Sequence, residues 1–455
     1  MISELITYLK DKSIVILGFG REGKSTYKFI RKYLNDKKIV IADKKEIDYE
    51  NDEFYELLKE DKNLEIISGE NYLENLEKYD LIIKAPGISF AGIDIEKYKE
   101  KITSQLELLL EFFKVCTIGI TGTKGKSTTS SLIYNVLKDQ DKKCMLLGNI
   151  GFPVLDYAEQ IEEDMLLVLE MSSHQLEYMK KSPNIACLLN VYEEHLDHYV
   201  SFENYIKAKC NIFKYQKKSD CLIYNFDNND LCNFVKDVSE KQYRVSINNK
   251  KDSNVYMKDR KIYINDTMVY DTDKEKRILP GDYNINNIMF VLTISQILKL
   301  DLERTKKSIN EFKPLRHRLE FVGNFDEVYY YDNSIGTIPM ATIEAVKALE
   351  NVDTLIIGGM DRGIDYKEFI EFLENSDITN IICMPKTGHD IAKKLKRKSY
   401  IVNTMEEAVR IAKEVTKKNK SCLLSPAAAS YGFFKNFEEK GDLFQKLVKN
   451  MWFKS

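Results

Sequence analysis

Short apolar runs alternate with amphipathic stretches along nearly the whole chain, and this alternation predicts the fold. The first part of the chain carries four short apolar runs, at residues 15–17, 39–42, 66–67 and 81–83. Stretches with helical spacing lie between them, as at residues 24–34 and 53–58. Such a βαβ series is typical of an open, doubly wound parallel sheet. The series breaks at Ala85-Pro86-Gly87, so we expect an N-terminal Rossmann-like domain over residues 1–92.

The same pattern resumes after a helical stretch at residues 105–113. Apolar runs at residues 116–120, 166–169 and 186–190 predict further strands, and residues 255–264 have the pattern of a β-hairpin. A predicted helix at residues 284–298 follows. We therefore expect a second, central domain over residues 93–314.

A third series of apolar runs lies in the last part of the chain. Strands are predicted at residues 328–331, 354–357, 381–384 and 421–424, with helical patterns between them. This series predicts a C-terminal Rossmann-like domain over residues 315–455. The expected fold class is α/β in three domains.

Length and composition agree with a division into three domains and argue against some classes of protein. A chain of 455 residues is too long for one hydrophobic core. Net charge is -3 with both signs interspersed, which gives no sign of a nucleic-acid partner. No apolar run is long enough to span a membrane. The eight cysteines form no C-x-x-C pair, which favours free thiols in a reducing cytoplasm.

A glycine-rich loop at residues 121–125 carries the strongest chemical signal. It follows the apolar run at 116–120 and opens a helix near Lys126, the order found in a phosphate-binding P-loop. Gly122 and Gly125 let successive N–H groups point at one anion, and the helix N-terminus adds positive partial charge. Lys126 can reach the terminal phosphates and Ser127 can ligate Mg²⁺. Ile120 stands where the strict motif has its first glycine; the alternative is an ordinary turn between a strand and a helix.

The N-terminal domain carries a second glycine motif. Residues 18–23 read G-x-G-x-x-G between a predicted strand and a helix, and Asp43 ends the next strand. This pattern is typical of a dinucleotide site. The alternative, a Rossmann-like domain that binds no nicotinamide cofactor, is about equally well supported by this motif.

Polar residues follow two strands of the central domain. Glu170 comes directly after four apolar residues, where a carboxylate can ligate Mg²⁺ next to a P-loop, although a solvated strand end is the alternative. His195 follows the next strand and, alone, is more often a structural histidine. Lys209 lies on a predicted helix and looks ordinary by itself. Asn284 can meet an adenine edge, and the alternative is that Asp282 or Asn284 simply caps the helix.

Taken together, these segments resemble the Mur ligase family over essentially the whole chain. The residues that carry the resemblance are 122–128, 148–151, 170–177, 195–199, 281–287 and 316–318. Two C-terminal segments, residues 424–430 and 434–441, are most similar to the members that add D-glutamate. The resemblance implies an ATP-dependent ligase that joins D-glutamate to UDP-N-acetylmuramoyl-L-alanine through an acyl phosphate.

The resemblance also implies roles for individual residues. ATP would be bound by Gly122, Thr123, Lys124, Gly125, Lys126, Ser127, Thr128, Asn284, Asn287, Arg318, Asp332 and Asn333. Two Mg²⁺ ions would be held by Ser127, Glu170, His195 and Lys209. Lys209 matches the family lysine that CO₂ converts to a carbamate, which turns a cation into an anionic oxygen ligand. The catalytic residues would be Lys126, Glu170, His195 and Lys209.

The substrate residues follow from the same resemblance. The UDP-sugar would contact Arg21, Glu22, Asp43, Gly87 and Asn149. The amino acid would contact Thr337, Arg362, Ser430 and Phe437. The resemblance further implies a cytoplasmic monomer with no membrane insertion and no nucleic-acid partner.

The chain departs from the family pattern at the start of the third domain. The common Asp-Ser-Lys-x-Thr-Asn loop reads Asn333-Ser334-Ile335-Gly336-Thr337 here, and Asp332 could replace the missing acid one position earlier. Tyr283 stands where histidine is common. These changes leave the contacts to the ribose and to the amino-acid carboxylate open.

Three other functions compete with this one. A folate-type polyglutamate ligase has the same chemistry, but the complete N-terminal domain argues against it. An oxidoreductase fused to a P-loop ATPase needs a catalytic residue near a nicotinamide, and none stands out. The presence of five residues argues against a non-catalytic nucleotide-binding protein: Lys126, Ser127, Glu170, His195 and Lys209. D- and L-glutamate carry the same charges, so the sequence does not choose between them.

Overall fold

Two compact units, residues 1–312 and 313–455, make up the chain. The computed structural model describes residues 1–46, 55–149, 153–193, 196–235, 241–279, 283–313, 316–349, 351–360, 366–430 and 433–450. The first unit contains two β-sheets and the second contains one.

The first sheet has five parallel strands in the order β3-β2-β1-β4-β5. Its strands are β1 (Ile14–Leu17), β2 (Ile39–Asp43), β3 (Leu64–Ser68), β4 (Leu81–Lys84) and β5 (Ile102–Thr103). The helices of this region are α1 (Ile2–Lys10), α2 (Arg21–Tyr33), α3 (Tyr55–Glu60) and α4 (Gln105–Phe112). The predicted strands and the parallel sheet are confirmed. Because β5 pairs with β4, this sheet continues beyond residue 92, and the boundary proposed there stays a prediction.

The second sheet has nine strands in the order β14-β13-β12-β11-β10-β9-β6-β8-β7. The strands are β6 (Cys116–Thr121), β7 (Cys144–Gly148), β8 (Leu166–Glu170), β9 (Ile185–Leu188), β10 (Cys221–Asn225), β11 (Gln242–Ser246), β12 (Val255–Lys258), β13 (Lys261–Ile264) and β14 (Thr267–Asp271). β13 pairs antiparallel with both β12 and β14, and the other pairs are parallel. The predicted hairpin at residues 255–264 is thereby confirmed.

Seven helices in the described part of this region surround the second sheet. They are α5 (Lys126–Asp139), α6 (Ser173–Leu176), α7 (Leu196–Tyr199), α8 (Phe202–Lys214), α9 (Asn229–Phe234), α10 (Tyr283–Ile297) and α11 (Leu302–Glu311). The interior strands read as unbroken apolar runs, as in Leu167-Val168-Leu169, because helices cover both faces of a parallel sheet. β6 lies between β8 and β9, so the loop after it opens at the centre of the sheet edge.

The third sheet has six strands in the order β15-β16-β20-β17-β18-β19. Its elements are β15 (Glu320–Phe325), β16 (Val328–Asp332), α12 (Pro339–Leu349), β17 (Val352–Gly359), α13 (Lys367–Asn375), β18 (Asn380–Lys386), α14 (Thr387–Lys394), β19 (Tyr400–Ile401), α15 (Met405–Val415), β20 (Ser421–Leu424) and α16 (Phe437–Asn450). All pairs are parallel except the edge pair of β15 and β16. The second Rossmann-like sheet is confirmed, with an antiparallel edge that the apolar pattern did not predict.

Together the three sheets give the predicted α/β fold. Within the described ranges, no helix is long and apolar enough to cross a membrane.

Candidate functional site

The loop between β6 and α5 has the backbone geometry of an anion-binding turn. Gly125 is the N-cap of α5 with φ of +87°, a conformation that favours glycine. A side chain at Gly125 would meet Asn287 Oδ1 at 2.7 Å, and one at Gly122 would meet Leu189 Cβ at 2.9 Å. The strand, loop and helix therefore occur in the predicted order, and both glycines are required by their surroundings.

Two lysine side chains converge on one carbonyl of this loop. Lys126 Nζ donates to the Gly122 oxygen at 2.8 Å and to the Thr123 oxygen at 3.1 Å. Lys209 Nζ, from α8, donates to the same Gly122 oxygen at 3.0 Å. Lys209 is only 1% exposed, and its ammonium lies 4.8 Å from the centre of the Tyr205 ring. A helix lysine that looked ordinary in the sequence is therefore buried against the P-loop.

A buried carboxylate lies on the neighbouring strand. Glu170 ends β8, is 1% exposed and pairs in register with Ile120 of β6. Its Oε1 accepts a hydrogen bond from Asn149 Nδ2 at 2.8 Å, and its Oε2 lies 3.5 Å from Ser130 Oγ. Ser127 is buried in the first turn of α5. A carboxylate and a hydroxyl beside backbone amides form the type of oxygen-donor set that suits Mg²⁺ and phosphate.

Asn190 holds the P-loop, a role that the sequence analysis missed. Its Oδ1 accepts from Lys124 N at 2.8 Å, and its Nδ2 donates to the Lys124 oxygen at 2.9 Å. Its own carbonyl accepts from Thr123 N at 3.0 Å. An asparagine just after a buried strand next to a P-loop strand was the available signal.

The two asparagines predicted for adenine lie on the first turns of α10. Asn287 Nδ2 donates to Asn284 Oδ1 at 2.9 Å, and both residues are buried. Because α10 begins at Tyr283, Asn284 lies inside the helix, which removes the alternative that Asn284 is the helix cap. The contact of Asn287 with Gly125 places this helix start beside the phosphate loop.

The predicted UDP-sugar residues line a single cavity of about 590 Å³ in the first unit. Arg21, Glu22, Asp43, Gly87 and Asn149 all border it. Asp43 Oδ2 accepts from the backbone N–H of the glycine-motif residue Phe19 at 2.7 Å. The cavity thus joins the glycine motif of the first sheet to the end of β7 in the second.

Glu22 and Gln175 connect the two sheets at this cavity. Gln175 Nε2 donates to Glu22 Oε1 at 2.9 Å. Burial raises the pKa of Glu22, and the hydrogen bond from Gln175 only partly opposes that rise. The neutral form of this carboxyl is therefore favoured more than in water, which reduces repulsion of an anionic ligand.

A second buried ionic group lies behind the cavity. Glu177 Oε2 is 3.0 Å from His198 Nε2 and 3.9 Å from Lys84 Nζ. Burial lowers the pKa of Lys84 to about 8, against the opposing effect of Glu177 and Glu22. Lys84 directly precedes Ala85, Pro86 and Gly87 on the cavity wall, so this group links the wall to the α7 segment.

Two predicted site residues, His195 and Arg362, lie outside the described residues.

In the C-terminal unit, Asp332 is buried within a hydrogen-bonded cluster. Its carboxylate accepts from His317 Nδ1 at 2.7 Å, Gln445 Nε2 at 2.9 Å and Ser334 N at 2.9 Å. Burial acts to raise the pKa of Asp332, but these hydrogen bonds outweigh it and leave the pKa below its usual value. The pKa of His317 is raised, because its bond to Asp332 outweighs the effect of burial.

The other predicted site residues of this unit differ in burial and in hydrogen bonding. Asn333 is buried, with Oδ1 accepting from Leu319 N at 3.2 Å and Nδ2 donating to Ser425 Oγ at 2.9 Å. Arg318 and Thr337 are half-buried. Ser430 is 3% exposed, and its Oγ has no hydrogen-bond partner among the described residues. Phe437 begins α16, with its ring centre 6.2 Å from that of His317.

The structure therefore shows Asp332 and Asn333 engaged inside the unit. Asp332 has 0% of its surface exposed, so its carboxylate does not face solvent in this conformation. Its predicted contact with the ATP ribose stays a prediction, and its burial weighs against it.

Two protein families match parts of the chain. Residues 120–295 match the Mur ligase middle domain, and residues 323–426 match the C-terminal domain of coenzyme F430 synthetase CfbE.

Full-length relatives are similar over nearly the whole sequence. UDP-N-acetylmuramoylalanine--D-glutamate ligase of Caldanaerobacter subterraneus subsp. tengcongensis is 32% identical over 453 residues, covering 97% of this chain and 99% of the relative. The protein of the same name from Clostridioides difficile is 33% identical over 456 residues, with the same coverage.

Solved structures share the fold. MurF ligase from Thermotoga maritima in complex with ADP has a TM-score of 0.57 at 17% identity, covering 98% of this chain and 97% of that one. UDP-N-acetylmuramate-alanine ligase MurC from Thermotoga maritima has a TM-score of 0.55 at 19% identity, covering 97% and 100%.

Proposed function

The chain belongs to the Mur ligase family of ATP-dependent ligases of peptidoglycan precursors, and from this premise we propose that it adds D-glutamate to UDP-N-acetylmuramoyl-L-alanine. The observation that supports the chemistry most is the arrangement at the P-loop. Lys126 and Lys209 share the Gly122 carbonyl, and Glu170 ends the next strand. The choice of D-glutamate is supported by the names of the full-length relatives.

ATP binding is assigned to the P-loop and the start of α10. The backbone amides of residues 122–125 and the N-terminus of α5 would hold the β- and γ-phosphates, with Lys126 as the positive charge on the γ-phosphate. Asn284 and Asn287 would contact the adenine, and Arg318 would contact the phosphates. Thr123, Lys124 and Thr128 complete this proposed set.

The donor set at the end of β8 fits Mg²⁺. Glu170 and Ser127 would hold one ion, and His195 and Lys209 a second. Bound Mg²⁺ lowers the repulsion between a carboxylate nucleophile and the phosphates of ATP. As an ammonium, Lys209 cannot ligate a cation; we propose that its neutral amine adds to CO₂, forming an N–C bond and losing a proton, so that a carbamate oxygen becomes the ligand.

The proposed reaction has two displacements. A carboxylate oxygen of UDP-N-acetylmuramoyl-L-alanine attacks the γ-phosphorus, and the bond to the bridging oxygen breaks to release ADP. The amine nitrogen of D-glutamate then attacks the acyl carbon, phosphate leaves with its oxygen, and the nitrogen loses a proton. Lys126 would stabilise the phosphoryl group during transfer.

The UDP-sugar is assigned to the 590 Å³ cavity. Arg21 and the start of α2 would hold the diphosphate, with Glu22, Asp43 and Gly87 around the uridine. Asn149 borders the same cavity and donates to Glu170, so it can place the muramoyl arm next to the proposed metal ligand. We assign no nicotinamide cofactor to this domain.

D-glutamate is assigned to the C-terminal unit, at Thr337, Arg362, Ser430 and Phe437. The Ser430 hydroxyl supports this, because it has no hydrogen-bond partner among the residues that the structure describes, and a buried hydroxyl without a partner costs stability unless a ligand uses it. We further propose domain limits of 1–92, 93–314 and 315–455, and a monomeric enzyme of the cytoplasm.

Phosphate release tests the function. The protein is incubated with ATP, Mg²⁺ and UDP-N-acetylmuramoyl-L-alanine, with D-glutamate, L-glutamate or no amino acid added. Release that requires D-glutamate is the expected result. Release that requires L-glutamate instead would overturn the proposed substrate, and no release with either would overturn the proposed reaction.

A further inference from the structure

The C-terminal unit contains a buried lysine whose charge is not neutralised by the described residues around it. Lys440 on α16 is 1% exposed, and its Nζ donates to the Gly358 carbonyl at 2.7 Å. The ring centre of Phe434 lies 5.6 Å from the ammonium. No carboxylate forms an ion pair with Lys440 in the part of the chain that the structure describes. Burial lowers its pKa to about 7, with no charged group opposing the change.

The ammonium holds the end of β17 against a neighbouring segment. Gly358 has φ of +122°, and a side chain at Gly359 would meet the Ala429 oxygen at 2.2 Å. The Met360 N–H donates to the same Ala429 oxygen at 2.8 Å. The carbonyl that Lys440 binds therefore belongs to the irregular end of β17, which packs on the residue before Ser430.

The lysine is also linked to Ser430 indirectly, through Phe434. The ring beside the ammonium belongs to Phe434, whose backbone N–H donates to the Ser430 carbonyl at 3.1 Å. Phe437 lies one turn before Lys440 on α16. Lys440 thus links the end of β17 to the segments that carry the proposed amino-acid residues Ser430 and Phe437.

A cavity of about 200 Å³ borders Lys440 at the carboxyl ends of β17 and β18. Ligands of open parallel sheets bind at such strand ends. Glu406 also borders the cavity, but it is exposed and forms no ion pair with Lys440 within the described ranges. Among the described residues, Lys440 has no counter-ion and the buried Ser430 hydroxyl has no hydrogen-bond partner, and both observations favour a carboxylate-bearing ligand in this unit.

We propose that Lys440 makes this unit selective for an acidic amino acid, by holding Gly358 at the end of β17 and by supplying a buried amine whose charged form a substrate carboxylate stabilises. The inference rests on the proposed function and adds a specificity residue to it. If Lys440 only stabilised the fold, its substitution would lower kcat/KM equally for acidic and neutral amino acids. If Lys440 recognises a carboxylate, its substitution lowers kcat/KM more for the acidic amino acid.

The test compares four full-length proteins: the unsubstituted chain, Lys440→Met, Lys440→Arg and Lys446→Met. Methionine removes the charge at similar length, arginine keeps it, and Lys446 is an exposed lysine on the same helix. The values of kcat/KM are measured for D-glutamate and for two neutral analogues, D-glutamine and D-isoglutamine. Each analogue replaces one of the two carboxylates by an amide.

We expect Lys440→Met to raise the KM for D-glutamate about 10- to 100-fold, the range lost when a buried charged partner is removed. Its preference for D-glutamate over one of the analogues should fall by a similar factor, while the KM for ATP changes less than about twofold. Lys440→Arg should keep most of the preference, and Lys446→Met should behave as the unsubstituted chain.

An unchanged preference in Lys440→Met, with normal turnover, would overturn the proposal for Lys440 and leave the proposed function intact. No turnover of D-glutamate by the unsubstituted chain would overturn the proposed function itself. If Lys440→Met does not fold, Lys440→Gln provides the same neutral comparison, and melting temperatures of all variants identify that case.

Discussion

The P-loop region and the C-terminal unit use buried charge in opposite ways. At the P-loop, Lys126 and Lys209 donate to one backbone carbonyl, and the carboxylate of Glu170 ends the adjacent strand. In the C-terminal unit, Asp332 is hydrogen-bonded to His317 within the unit, while Lys440 has no carboxylate partner among the described residues. The first region contains within itself the groups of the proposed phosphate and metal site. The second contains a buried lysine that the proposed ligand would pair with.

The largest loss of activity is expected when Lys126, the P-loop lysine, is substituted. Lys126→Ala should lower ATP-dependent phosphate release about 1000-fold, because a preorganised charge on the transferring phosphoryl group is lost. The matched control is Lys138→Ala, an exposed lysine on the same helix, which should retain full activity. Equal activity of the two variants would show that Lys126 serves only the loop conformation.

Lys209 provides the next test. Lys209→Met should lower the rate about 100-fold and raise the Mg²⁺ concentration needed for half-maximal activity, since a proposed metal ligand is removed. Lys207→Met, an exposed neighbour on α8, is the control. A rate loss with an unchanged Mg²⁺ requirement would contradict a role in metal binding and leave only the contact with Gly122.

A smaller loss of activity is expected when Asn190, which forms hydrogen bonds with the P-loop, is substituted. Asn190→Ala removes two hydrogen bonds to Lys124, each worth about 1 kcal/mol. The value of kcat/KM for ATP should fall about tenfold, and that for D-glutamate at saturating ATP should change little. A uniform loss for all substrates would indicate general unfolding, which a melting curve would detect.

The smallest effects are pH-dependent shifts in stability, and the two buried groups of the C-terminal unit should give opposite signs. The pKa of His317 is raised above its usual value of 6.5 in the folded protein. The stabilisation from its bond to Asp332 is therefore fully present below pH 6.5, and it is lost as the pH rises through the higher pKa of the folded state. The pKa of Lys440 falls from 10.5 to about 7, so the unfolded chain binds more protons between these values and stability rises with pH there.

Melting temperatures at pH 6 and pH 9 check both signs. His317→Gln should lower the melting temperature more at pH 6 than at pH 9. Lys440→Met should raise it most at pH 6, with the difference shrinking toward pH 9. The same sign of pH dependence for both variants would contradict this description of the unit.

The fold and the P-loop could be predicted because their signals are local. Strand positions follow from short apolar runs, and the loop residues 122–127 are contiguous in sequence. The partners of these residues were harder to predict: Asn190 and Lys209 reach the loop only through sheet order and helix packing. Asparagine after a strand and lysine on a helix are common, so neither has a distinctive local signal.

The C-terminal unit was predicted less completely for a related reason. Asp332 looked like a replacement for a displaced acid, but the fold pairs it with His317 and Gln445, the latter far along the chain on α16. The position of Lys440 is another example. Its burial results from the packing of α16 against β17, and no local sequence pattern indicates that contact.

Transfer of an oxygen atom from substrate to phosphate tests the central claim most directly. UDP-N-acetylmuramoyl-L-alanine with ¹⁸O in both carboxylate oxygens is turned over with ATP and D-glutamate, and the released phosphate is analysed by mass spectrometry. An acyl-phosphate ligase must deliver one ¹⁸O to each phosphate, because the oxygen that attacks the γ-phosphorus leaves with it. Phosphate without ¹⁸O would show that water or another group accepts the phosphoryl group, and the proposed ligase reaction would be wrong.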